Sequence, residues 1–197
     1  QDGVIYVTTG NDDVFAVSVK TGKILWEHKS GIDQLISTIC CGWLNRGVGL
    51  GDGRVYVGQL DGKVLALDQK TGEPIWTRQL VQWQKGQTVT GAPLFLDGKI
   101  YIGVVGADFG TRAFLEAMDA KTGDSVWRFY TIPGPGEKGH ETWPANSDAY
   151  LQGGAAVWST PAYDADLNLL YITTGNAGND WYGGDRPGDN LYAASIV

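Results

Sequence analysis

The chain has 197 residues, of which 19% are charged and 43% apolar, with 29 glycines and a formal net charge of −7. That length supports one domain with a sizeable core. The acidic balance argues against binding a phosphate backbone, which needs clustered Lys and Arg, and no apolar run approaches the ~20 residues of a membrane span. The first residues, Gln1-Asp2-Gly3, lead directly into strand-like sequence with no signal-peptide pattern, so the chain reads as a mature or trimmed form.

The first strand signal is Ile5-Tyr6-Val7, and it returns as Val55-Tyr56-Val57, Ile100-Tyr101-Ile102 and Leu170-Tyr171-Ile172. Asp2-Gly3, Asp52-Gly53 and Asp97-Gly98 precede the first three, and Asp-Gly supplies the positive φ angles of a tight hairpin. A second motif, Ala-x-x-x-Lys-Thr-Gly-x-x-x-Trp, runs from Ala16 to Trp26, Ala66 to Trp76 and Ala117 to Trp127. Its copies lie roughly 50 residues apart, the period of a propeller blade. Lys-Thr-Gly reads as the turn between the last two strands of each unit.

These signals predict an all-β fold, a β-propeller of four-stranded antiparallel blades, with the tryptophans packed between neighbouring blades. The repeats fall near residues 1–30, 50–80, 92–130 and 155–197, one partial propeller domain of about four blades. A Gly- and Pro-rich loop over 133–152 and a similar one from Ala177 to Asn190 interrupt the period, and such excursions usually carry function. The sequence stops inside a repeat, at Ser195-Ile196-Val197, which predicts a fragment of a longer chain. The ends are nearly in phase, so the alternative is a half-propeller that closes a ring with a second copy.

Cys40-Cys41 are the only cysteines. Oxidised together, adjacent cysteines close a tight eight-membered ring that staples no loop, leaving a rigid, polarisable surface for a ligand to lie against. Reduced, they are two thiols. A bond between them requires an oxidising compartment. His28 and His140 stand far apart with no Cys or acidic cluster at ligand spacing, which argues against zinc. No Gly-x-Gly-x-x-Gly leads from a strand into a helix, so nucleotide binding has no support.

Taken together, the Trp-turn repeats, Cys40-Cys41 with Asn45-Arg46-Gly47, Gly106-Ala107-Asp108-Phe109-Gly110, Gly153-Gly154 with Trp158, and Thr174-Gly175-Asn176 resemble the quinoprotein alcohol dehydrogenases. The resemblance covers essentially the whole chain and corresponds to the N-terminal half of such an enzyme. It implies an eight-bladed propeller that binds pyrroloquinoline quinone (PQQ) and a calcium or lanthanide ion, and that oxidises alcohols by hydride transfer to the quinone. It implies a vicinal Cys40–Cys41 disulfide on one face of the quinone and Trp158 stacked on the other. Arg46, Thr90 and the backbone amides of Gly106 and Ala107 would bind cofactor oxygens, and Asp108 and Asn176 would be metal ligands. A small alcohol substrate, an electron acceptor such as a cytochrome c, and a periplasmic or secreted location follow from the same resemblance.

Two departures stand out. Asp108 occupies a position where the family usually has Glu, one methylene longer, and Val104-Val105 stand where a hydroxyl residue usually precedes Gly106. The catalytic Asp base is expected beyond Val197, so no catalytic residue is assigned within the chain. A non-catalytic propeller serving as a protein-interaction scaffold is the alternative from a different functional class. Asn11 stands in the same Thr-Thr-Gly-Asn string as Asn176, so that string is partly structural.

Overall fold

The computed structural model describes residues 1–197, and its regular structure is antiparallel strands joined by loops that hold only short 3-10 turns. The first sheet holds β1 (Val4–Thr8), β2 (Val14–Ser18) and β3 (Ile24–His28). The second holds β4 (Gly49–Gly51), β5 (Arg54–Gly58), β6 (Lys63–Asp68) and β7 (Pro74–Gln79). The third holds β8 (Leu94–Leu96), β9 (Lys99–Gly103), β10 (Phe114–Asp119) and β11 (Ser125–Tyr130). A fourth sheet holds β12 (Ala162–Asp164) and β13 (Leu169–Tyr171), and Thr173 forms an isolated antiparallel bridge with Ile196. In each sheet the strands follow one another in chain order, the meander of a propeller blade.

Register explains the repeated motif. Tyr6, Ala16 and Trp26 lie side by side across three strands, as do Tyr56, Ala66 and Trp76, and Tyr101, Ala117 and Trp127. The small Ala lets the flanking rings meet over it, with centroids 5.8, 6.1 and 5.8 Å apart. The indoles of Trp26 and Trp76 then seat on the Lys-Thr-Gly turn of the following blade. Trp26 Nε1 donates to Gln69 O at 3.1 Å and Trp76 Nε1 to Ala120 O at 3.1 Å. A Cβ on Gly72 would lie 2.5 Å from the Trp26 ring, and one on Gly123 2.7 Å from Trp76, so only glycine fits beneath either indole.

Trp76 is 7% exposed, but Trp127 is 40% exposed, because the fourth blade offers it no such turn within residues 1–197. Burial follows the same rule. β5 is enclosed on both faces, Val55 and Val57 toward the first blade and Tyr56 toward the third, whereas β1 of the outer blade alternates, leaving Ile5 and Val7 exposed.

Antiparallel order also separates the two ends of the blades. The Asp-Gly and Lys-Thr-Gly turns lie at one end. The loops joining one blade to the next, and those joining the Tyr strand to the strand after it, lie at the other. Asp52 and Gly53 both have positive φ, at 49° and 70°, as a two-residue hairpin of this kind requires. No helix is long and apolar enough to cross a membrane.

Candidate cofactor site

At the loop end a cavity of about 320 Å³ gathers residues from five different connections. The link between the first two blades brings Cys40, Cys41 and Arg46, and the link between the second and third brings Thr88 and Thr90. The loop after β9 brings Val105, Gly106, Ala107 and Asp108, the link into the fourth blade brings Ala156 and Trp158, and the segment after β13 brings Asn176. All nine residues singled out in the sequence therefore line one cavity, although they span residues 40–176.

Cys40 and Cys41 are joined by a disulfide and lie exposed on the cavity wall. Their loop is held from beneath. Ile32, Ile36 and Leu60 form a small buried cluster on which Ile39, Trp43 and Trp83 pack, and Thr38 Oγ1 donates to Trp83 O at 2.7 Å. Arg46 follows in a tight turn closed by Asn45, whose Oδ1 accepts from Gly47 N at 2.9 Å. The Arg46 backbone amide donates to Thr90 O at 3.0 Å, and its Nη1 donates to Thr90 Oγ1 at 2.7 Å. No carboxylate pairs with this guanidinium. Desolvation lowers its pKa from the ordinary arginine value, the mark of a cation with no counter-charge.

Trp158 is 39% exposed, its ring lying over Gly175, where a Cβ would sit 2.4 Å from the indole. The backbone amides of Gly106 and Ala107 donate to nothing within the chain. Asn176 Nδ2 donates to Ala177 O and to Asp180 Oδ1, which leaves its carbonyl oxygen as the free atom. The Asp108 carboxylate is exposed and forms no ion pair. No group of three or more His, Cys, Asp or Glu side chains comes together as a self-sufficient metal site.

Several residues that sequence reasoning passed over hold this arrangement. Asp12, fully buried, accepts from Asn45 Nδ2 at 2.8 Å and from Leu60 N at 2.7 Å, so it anchors the turn that aims Arg46. Burial pushes its pKa up from 3.8 to about 7, with the nearby Asp61 and Asp13 adding to the rise and the two hydrogen bonds opposing it. Asp180 orients the Asn176 amide. The only sequence signal for either was proximity to a motif already noted.

None of the residues of the 133–152 loop lines this cavity, although Ala149 and Gln152 border an adjoining one together with Asp108. Instead Trp143, 3% exposed, packs with Ile132, Ala155 and Ala177, and its Nε1 donates to Leu191 O at 2.7 Å. The loop props the second excursion, which leaves the site at Asn176.

The cavity at the loop end of the propeller thus brings together a disulfide, an indole and an Arg that has no carboxylate partner. The model of the glucose/ethanol/alcohol dehydrogenase β-propeller domain, the PQQ family, matches residues 1–197. The chain belongs to that family. It is 43% identical to the quinohemoprotein alcohol dehydrogenase ADH IIB of Pseudomonas putida, over all of this chain and 30% of that protein. The solved quinohemoprotein alcohol dehydrogenase of Comamonas testosteroni superposes with a TM-score of 0.92 at 36% identity, covering 100% of this chain and 31% of that one. A europium-containing methanol dehydrogenase superposes with a TM-score of 0.89 at 31% identity, covering 98% and 37%. The chain thus spans about 30% of the length of the curated relatives it matches.

Proposed function

We propose that the intact protein oxidises small alcohols with PQQ bound in this cavity, and that residues 1–197 supply one part of the cofactor site. The observation that carries the reading is the convergence of the Cys40–Cys41 disulfide, Arg46, Thr90, Gly106, Ala107 and Trp158 on one cavity. The donor chemistry fits the group: an uncompensated guanidinium and two free backbone amides suit quinone and carboxylate oxygens, and Gly175 leaves room for the Trp158 ring.

The disulfide and the Trp158 indole hold a planar ligand between them and exclude water from its faces. Arg46 orients it, with Thr90 accepting one guanidinium proton and keeping its own hydroxyl proton free to donate. PQQ, when bound, supplies the quinone that takes up the two electrons of the alcohol. Asp108 and the Asn176 carbonyl oxygen are hard donors suited to calcium or a lanthanide. Two protein oxygens fall short of the ~6–8 such an ion takes, so the cofactor and the rest of the protein complete its shell. Asp108 reaches one methylene less far than Glu. The base that accepts the alcohol proton lies outside residues 1–197 in this reading.

The disulfide is consistent with a periplasmic protein that passes electrons to an acceptor such as a cytochrome c. The exposed Trp127 is consistent with further blades, or a second copy, covering that side.

The test is reconstitution of the full-length protein with PQQ and either calcium or a lanthanide. A bound-quinone absorbance and alcohol-dependent dye reduction are expected, and Trp158→Ala is expected to weaken PQQ binding at least tenfold. A wild-type protein that neither binds PQQ nor reduces dye overturns the reading and favours an interaction scaffold.

A further inference from the structure

Four buried side-chain polar atoms lack any hydrogen-bond partner: Arg54 Nε, Gln59 Nε2, Thr88 Oγ1 and Thr111 Oγ1. Of these residues only Thr88 lines the cofactor cavity. A buried hydroxyl without a partner is costly and calls for an explanation.

Backbone geometry gives one. Thr88 N donates to Val105 O and Val105 N to Thr88 O, both at 3.0 Å, an antiparallel hydrogen-bonded pair whose side chains share a face. Val105 lines the cavity, as does Thr90, two residues along from Thr88 on the same face. Val89 between them points the other way, fully buried in the core between the second and third blades. Thr90 Oγ1 already accepts from Arg46, but Thr88 Oγ1 is engaged by nothing. Its paired neighbour Val105 brings no polar atom to that side.

We infer that Thr88 is a further cofactor-binding residue, its hydroxyl donating to a carbonyl or carboxylate oxygen of the planar ligand in this cavity. The inference rests on the proposed PQQ site and adds a contact to it: a pair of threonines, Thr88 and Thr90, replaces the single hydroxyl contact implied by sequence. Binding gives the Thr88 hydroxyl a partner that the chain's own groups do not supply.

The full-length protein, with calcium present and without alcohol or dye, is titrated with PQQ and followed by quenching of tryptophan fluorescence. Thr88→Val keeps the shape and removes the hydroxyl, and Thr88→Ser keeps the hydroxyl. We expect Thr88→Val to weaken PQQ binding about tenfold and Thr88→Ser to stay within about threefold of wild type. The thermal midpoint of PQQ-free Thr88→Val should equal or exceed that of wild type, since the change removes an unsatisfied polar group. A purely structural hydroxyl gives the opposite sign, and a lowered midpoint in PQQ-free Thr88→Val overturns the assignment. Equal PQQ affinity for wild type and Thr88→Val also overturns it while leaving the proposed function standing. A wild-type protein that binds no PQQ overturns both together.

Discussion

The string Thr-Thr-Gly-Asn occurs twice, at residues 8–11 in the first blade and 173–176 in the fourth, and the two copies do different work. Both follow the Tyr strand, both end in an exposed Asn, and both use glycine to let a tryptophan residue come close. Gly10 backs onto the carbonyl of Trp43, where a Cβ would lie 2.7 Å from the oxygen, while Gly175 backs onto the ring of Trp158. The difference begins at the next residue. After Asn11 comes a buried carboxylate, Asp12, and the chain turns straight into β2. After Asn176 comes a buried Ala177, and the chain leaves on a long excursion. The first copy closes a turn and ties down the Asn45-Arg46 loop. The second ends with its Asn on the cavity wall. A shared local sequence sets the bend, and the residues that follow decide what the bend serves.

The largest effect that would sharpen this contrast concerns Asp12. Its pKa in the folded protein is raised from 3.8 to about 7, so its contribution to stability is fully present below about pH 4 and is lost as pH rises through 7. A rise of that size corresponds to roughly 4 kcal/mol between the two limits. Asp13, Asp68, Asp119 and Glu137, whose pKa values are lowered, slope the other way. The difference between wild type and Asp12→Asn therefore isolates the group. Denaturation series from pH 4 to pH 8 should show wild type losing stability relative to the variant with increasing pH. A difference that stays constant with pH would break the assignment.

The two glycines come next. Gly10→Ala drives a methyl into backbone and is expected to cost about 1–3 kcal/mol in chemical denaturation. Gly175→Ala meets only the far edge of an indole that borders an open cavity. The ring can swing inward, so folding should cost under about 1 kcal/mol while PQQ binding falls at least tenfold. Fluorescence titration and denaturation of both variants separate the two outcomes, and a matching pair of effects would erase the distinction between the strings.

The smallest pair is the asparagines. Asn11 has no side-chain hydrogen bond, and Asn11→Ala should change stability by less than about 0.5 kcal/mol. Asn176→Ala should leave stability similarly unmoved but weaken calcium-dependent PQQ binding about tenfold, measured by titrating the metal at fixed PQQ. Equal metal dependence in the two variants would remove Asn176 from the proposed metal shell.

Much of the fold was legible because its signals are local. Each Ala-to-Trp motif places a small residue beside two rings, and each Asp-Gly marks a turn, so the antiparallel strand pairs follow from local signals. That Cys40, Thr90, Gly106, Trp158 and Asn176 line one cavity could be expected only through resemblance, since they lie on different connections and no spacing relates them. Thr88 and Asp12 escaped because nothing in their neighbours' identity reveals that one hydroxyl lacks a partner or that one carboxylate is fully buried. The composition of the 133–152 loop likewise announces an excursion, but not that Trp143 packs against Ala177 while Gln152 borders a cavity beside Asp108.

By itself, then, the sequence determined the antiparallel blades, their order and the seats for Trp26 and Trp76, because a strand's pairing and its turn are encoded within a few dozen residues. Only the tertiary structure decided that five loops meet around one cavity and that two identical tetrapeptides face different surroundings. Those outcomes depend on which side chains arrive from distant blades, and burial, unpaired hydrogen-bonding groups and shifted pKa values exist only once they have arrived.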